Sequence, residues 1–202
     1  MGELPNGALA LVEASKRLLI EGGFDALRIG KITTAAGQNR AMVNYYFGSK
    51  AAMIAVVVDS LIHEAVEELG RQAERLPEGD TRIDAHVEST IALMQTPEFL
   101  ATLDVVPPAL RNEDLRRRLA KLYTWYREVN AKCLDPEATE GQRNRIEGLA
   151  TLFVALFDGL AIQWALDPES IDLKSLAALI KELVGSALRR DTEVTPGATA
   201  GT

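Results

Sequence analysis

Apolar residues recur at intervals of three and four along almost the whole chain, and β-branched runs alternating at two are missing. Leu11, Ala14, Leu18 and Leu19 share one face of a first helix over about 7–22. Gly22-Gly23 ends it, because glycine tolerates the left-handed backbone of a helix terminus. Phe24 is expected to fold back as a core plug. Ile29, Ile32 and Ala36 mark a short second helix that stops at Gly37, and Asn39 is placed to cap a third over about 40–46. From Lys50 the periodicity runs long, through Met53, Ile54, Val57, Val58, Leu61, Ile62, Ala65 and Leu69 to the region of Leu76. Thr81 with Asp84 resembles a capping box for a helix carrying Ile83, Val87, Ile91 and Met94. Thr96-Pro97 reads as an N-cap followed by proline at the first helical position. That helix is expected to break at Pro107-Pro108, and Asn112 to cap the next. Two apolar helices, about 142–166 and 172–190, complete the pattern. The spacing therefore predicts an all-α fold of about nine helices, with a disordered tail over 191–202.

Within this pattern, residues 37–50 have a distinct layout. A glycine turn opens the stretch, a short helix alternates small, polar and aromatic residues, and Gly48-Ser49 turns the chain into the long helix. That is the arrangement of a helix-turn-helix whose second helix enters a DNA groove. A helix this short is not stable alone, so it must be pinned, and Val43 and Phe47 at i, i+4 supply an apolar face for that. Arg40 and Asn44 are then candidates for reading base edges, and Arg28, Tyr45 and Lys50 for holding phosphates. Asn39 at the cap and Ala41, whose small side chain permits close approach, complete the candidate DNA-binding set. A polar helix face beside an aromatic core plug is the alternative, and Tyr46 fits a core position in either case.

Residues 9–50 resemble the DNA-binding head of the tetracycline-repressor (TetR) family of bacterial regulators. Leu11-Val12-Glu13-Ala14-Ser15, Gly23-Phe24-Asp25-Ala26, Ile29…Ile32…Ala35-Ala36-Gly37 and Val43-Asn44-Tyr45-Tyr46-Phe47-Gly48-Ser49-Lys50 carry the likeness in order. Asp158-Gly159-Leu160-Ala161 is also similar to this family. Arg28 stands where the family usually has a capping Ser or Thr, and Gln38-Asn39, Ala41-Met42, Asn44 and Tyr46 also depart from the common pattern. The scaffold is thus retained while the operator sequence stays open. The resemblance implies a head over 7–50, and a larger ligand-binding and dimerisation domain over 51–190 that pairs through its last two helices. It implies a homodimeric repressor, responsive to an unknown small-molecule effector, that binds a palindromic operator in double-stranded DNA.

Composition changes this picture little. Hydrophobic content of 47% and charged content of 25% suit a globular protein. No uninterrupted apolar run of about 18 residues is present, so no membrane span is expected. The first residues lack a basic region followed by an apolar one, so no signal peptide is expected. The single cysteine, Cys133, excludes an intramolecular disulfide and suits a reducing cytoplasm. Net charge is −7, which alone argues against nucleic acid. Residues 1–50, however, carry six Lys and Arg against four Asp and Glu, a mildly basic head on an acidic body.

Aromatics concentrate in that body. Met94, Phe99, Tyr123, Tyr126, Phe153, Phe157 and Trp164 are the candidate ligand-pocket set, with Gln95, Asn130 and Gln163 weaker candidates; each aromatic also fits plain core. Trp125 and Tyr126 are adjacent and must face different ways. His63-Glu64 with Glu67 lacks the second histidine of a zinc-protease motif, and Arg116-Arg117-Arg118 reads as a solvated charge run. Phosphate loops and nucleophile elbows are absent, so no catalytic residue, metal or cofactor is assigned and no enzyme activity is expected. The alternative function is a helical protein that binds a small molecule and not DNA.

Overall fold

The computed structural model describes residues 4–78 and 81–189, apart from the side chain of Val66. The expected tail lies outside them. The nine expected helices are α1 (Asn6–Gly22), α2 (Ile29–Ala35), α3 (Ala41–Phe47), α4 (Lys50–Glu74), α5 (Thr81–Met94), α6 (Pro97–Asp104), α8 (Glu113–Leu134), α9 (Arg143–Leu166) and α10 (Leu173–Arg189). A single turn, α7 (Val106–Ala109), is added where the proline pair was expected to break the chain. Pro107 and Pro108 fall in the first turn of α7, where a helix has no intrahelical use for their missing N–H groups. No strand occurs among the described residues.

The signals at Gly23, Thr96 and Asn112 act as expected. Gly23, with φ 67°, closes α1 and donates its N–H to Leu19 O. Thr96 Oγ1 accepts the N–H of Phe99 at 3.2 Å, and Asn112 Oδ1 that of Leu115 at 3.1 Å. Asp172 heads α10 by accepting the N–H groups of Lys174 and Ser175. The Thr96 and Asn112 caps are worth about 1 kcal/mol each.

The chain forms two compact units. The first comprises Met1–Gly70 and Met94–Tyr126. Its core joins Leu11, Val12 and Leu19 of α1, Ile32 of α2, Val43 of α3 and Met53, Ile54, Val57, Val58 and Leu61 of α4. Ala101, Val105, Ala109, Leu115 and Leu119 extend it, and Phe24 packs on its margin. Polar ties surround this core. Lys16 reaches Glu13 at 2.7 Å and Glu64 at 2.5 Å. Asp104 accepts the N–H of Phe24, and Arg118 pairs with Asp59 and Asp114. Arg118 is thus engaged with α4, although its run of three arginines had been expected to lie in solvent.

The second unit comprises Arg71–Leu93 and Arg127–Thr202. Val87, Cys133, Ile146, Ala150, Phe153, Phe157, Leu160, Ala161, Ile180 and Val184 are buried in it. His86 Nε2–H bonds to Asn130 Oδ1 at 2.9 Å, and the imidazole lies flat on Phe153, 4.9 Å between centroids and 11° between planes. Cys133 is a packing residue, its thiol pushed up to about 11 by burial.

α9 has the length and mean hydropathy, 1.8, of a membrane span by composition alone, which the unaided sequence pattern did not lead us to expect. Its geometry explains the composition. Ile146, Ala150, Phe153, Phe157 and Ala161 fill one arc and are buried. Leu152, Leu156, Ile162 and Leu166 fall within about 120° on the opposite side at 100° per residue, and are exposed. One helix carries two apolar faces, and the unit itself covers one.

Burial drives the His86 imidazole down to about 4. The folded protein therefore keeps it neutral, while the unfolded chain takes up a proton near 6.5. The stability tied to this residue is whole above about pH 6.5 and is lost as the pH falls towards 4. Urea unfolding should show wild type losing about 2–3 kcal/mol more than His86→Gln between pH 7 and 4.5.

Candidate nucleic-acid interface

Two glycines with left-handed backbone frame the third helix: Gly37 at φ 64° before it and Gly48 at φ 74° after it. An L side chain is strained at such angles, which is why both turns use glycine. Asn39 Oδ1 accepts the N–H of Ala41 at 2.9 Å and of Met42 at 3.3 Å, supplying the expected cap from one residue ahead of Arg40. The Gly48 N–H closes the helix on Asn44 O at 2.9 Å, and Ser49 Oγ accepts the Ala52 N–H at 3.0 Å to start α4.

Between these turns α3 has two faces. Val43 is fully buried, and Met42, Tyr46 and Phe47 are half-buried against the same core. Ala41, Asn44 and Tyr45 point to solvent, Tyr45 at 77% exposure. Asn39, Arg40, Lys50 and Arg28 are exposed as well, so all seven candidate DNA-binding residues lie at the surface. Arg28 stands at the N-cap of α2 and makes no side-chain cap, as its chemistry requires. The Arg40 guanidinium rests beside Gly30: a Cβ added there would lie 3.0 Å from its Nη2. Lys31 of α2 is a further exposed cation of the head that the sequence reading did not single out.

An exposed phenol, amide and guanidinium on a short helix, held at a fixed height by one buried valine, can donate to phosphates and base edges. The surrounding backbone makes the same groups unavailable to the core, because Val43 and Phe47 occupy that side. This is a surface for binding, with no nucleophile and base paired on it.

The candidate pocket residues divide between the units. Met94, Phe99 and Tyr126 are buried and Tyr123 half-buried in the first, with Tyr123 and Tyr126 meeting edge to face at 6.1 Å. Phe153 and Phe157 are buried and Trp164 half-buried in the second, the two phenylalanines 4.6 Å apart. Gln95 and Gln163 are exposed. An open cleft of about 700 Å³ in the first unit is lined by Phe24, Asp25, Asp104, Arg111 and neighbouring residues, and by none of the seven candidates. The His86–Asn130–Phe153 arrangement was missed because only folding brings these residues together. No group of three or more His, Cys, Asp or Glu suited to a metal occurs among the described residues.

Comparison with known proteins places this geometry. Residues 11–57 match the N-terminal model of bacterial regulatory proteins of the tetR family. Residues 79–189, more than half the chain, match the model for the C-terminal part of BetI-type transcriptional repressors. The chain belongs to the TetR family. It is a DNA-binding transcriptional regulator of the helix-turn-helix type. Among similar TetR-family and related regulators, the uncharacterised HTH-type regulator YfiR of Bacillus subtilis is 27% identical over 188 residues, covering 90% of this chain and 91% of its own. The regulator BetI of Rhizobium meliloti is 26% identical over 191 residues, covering 94% and 93%. A transcriptional regulator from Saccharomonospora viridis, solved in complex with choline, shares the fold with a TM-score of 0.69 at 20% identity, covering 91% of this chain and 96% of that one.

Proposed function

We propose that this TetR-family regulator is a cytoplasmic homodimeric repressor that binds a palindromic operator and releases it when a small molecule binds the larger domain. In this reading residues 7–50 are the head and 51–190 the ligand-binding and dimerisation domain. One observation carries the DNA part: α3 buries Val43 and presents Ala41, Asn44 and Tyr45 to solvent between two glycine turns. Arg40 and Asn44 read base edges, a guanidinium suiting guanine and an amide suiting adenine. Arg28, Tyr45 and Lys50 hold phosphates, Asn39 fixes the start of the helix, and Ala41 lets its backbone approach the groove.

The exposed side of α9 supports the homodimer. Leu152, at 69% exposure, Leu156, Ile162 and Leu166 face solvent there, and Leu179 and Leu183 do so on α10. A self-complementary patch of this kind on two helices packs into a four-helix arrangement about a two-fold axis. Two heads so joined meet successive major grooves when they stand about 34–36 Å apart. An effector shifts this spacing only by binding one state better than the other. Its seat is proposed within the larger domain, with Phe153, Phe157 and Trp164 of the second unit as the candidates that lie together in one unit, and choline is the first compound to try.

Two results are expected. Leu152→Glu combined with Leu183→Glu should leave the helical circular-dichroism spectrum intact, because both side chains are already exposed, and convert a dimer to a monomer in sedimentation analysis. A dimer unchanged by both charges would remove α9 and α10 from the interface. Arg40→Ala should weaken a selected operator duplex by about 1–3 kcal/mol and relax base preference at one position per half-site, as read by fluorescence anisotropy on substituted duplexes. Unchanged preference would take Arg40 out of base reading.

A further inference from the structure

We infer that Gly7 and Tyr46 form a positioning pair that sets the seat of the DNA-reading helix. Gly7 lies in the first turn of α1, far from Tyr46 in sequence. A Cβ built on Gly7 would stand 2.3 Å from Tyr46 Oη, 2.9 Å from Cζ and 3.0 Å from Cε2. No methyl group fits at such distances, so the missing side chain is a notch that the phenol tip occupies. The half-buried Tyr46 ring is held by its neighbours. It meets Tyr45 edge to face at 5.0 Å and 73°, and Phe47 at 6.3 Å and 66°, and it packs on the core of the first unit.

The consequence follows from the geometry of α3. Val43 fixes how deep the seven-residue helix sits, and Met42 and Phe47 are only half-buried against the same core. The phenol in the notch is a further, separate anchor, made to α1, and it sets the roll. Tyr45, exposed and braced edge-on by the Tyr46 ring, takes its place from that roll, and so do Asn44 and Ala41 on the same face. Tyr46 is thus a positioning residue that acts through its neighbours. Elsewhere in a helix alanine is the better helix former than glycine. Here the methyl group would push α3 away from α1.

The inference rests on α3 being the DNA-reading element, and the test separates the two. An operator is first selected by the wild-type protein from a pool of randomised duplexes. Affinities for that operator and for a random duplex are then measured for wild type, Gly7→Ala, Tyr46→His and the double variant, with circular dichroism as the folding control. Histidine keeps a flat ring but ends short of the notch. Gly7→Ala should lose about tenfold in operator affinity while random-duplex affinity stays within about threefold. The double variant, whose methyl group refills the space the phenol leaves, should bind the operator more tightly than Gly7→Ala. A Gly7→Ala protein that keeps its operator preference, or loses both affinities equally, would overturn the inference. So would a double variant no better than Gly7→Ala. If Gly7→Ala fails to fold, folding of the double variant supports the pair and its failure contradicts it. Wild type selecting no sequence at all would instead sink the DNA-reading role of α3, and this inference with it.

Discussion

A seven-residue helix has too few hydrogen bonds to persist in water, so α3 depends on its inner face, with Val43 buried and Met42, Tyr46 and Phe47 packed on the same core. Everything the head does depends on that contact. The valine sits in a core built by α1, α2 and α4, with polar ties at its edge: Lys16 of α1 with Glu64 of α4, and Arg118 of α8 with Asp59 of α4. Burying one face of so short a helix leaves the other to solvent as a matter of geometry. The residues that a regulator needs at its surface are therefore set by what the core needs inside.

The same economy governs α9. A helix with one apolar face serves a core, and a helix with two serves a core and something else. Ile146, Phe153 and Phe157 fill the interior, while Leu152, Leu156 and Leu166 lie exposed on the far side, the face that the proposed homodimer would cover. Apolar content on both sides is also what gives α9 the composition of a membrane span. The acidic net charge fits the same division of labour: only the mildly basic head needs to approach phosphate.

What the sequence made legible was local. Asn39, Thr96 and Asn112 cap helices within three residues of themselves, and the glycines at 23, 37 and 48 stop helices by their own backbone freedom. The i, i+4 pair Val43 and Phe47 pointed to the inner face of α3 correctly, because helical geometry alone decides it. The prolines at 107 and 108 misled: at the start of a turn they shape it, whereas in its interior they would break it. What stayed hidden joins residues far apart in the chain. Gly7 reads as an unremarked small residue until Tyr46 is seen in its notch. His86 reads as a lone histidine until Asn130 and Phe153 enclose it. Asp104 gives no sign that it holds the turn at Phe24.

In the proposed function α3 enters the major groove from a protein with two symmetric heads. Dimethyl sulfate protection tests it most directly, because the reagent methylates guanine N7 in the major groove and adenine N3 in the minor groove. On a selected operator guanine N7 should be protected in two symmetric half-sites, about one helical turn or a multiple of it apart, with adenine N3 still reactive. Protection confined to adenine N3, or guanine protection in a single unpaired patch, would contradict it.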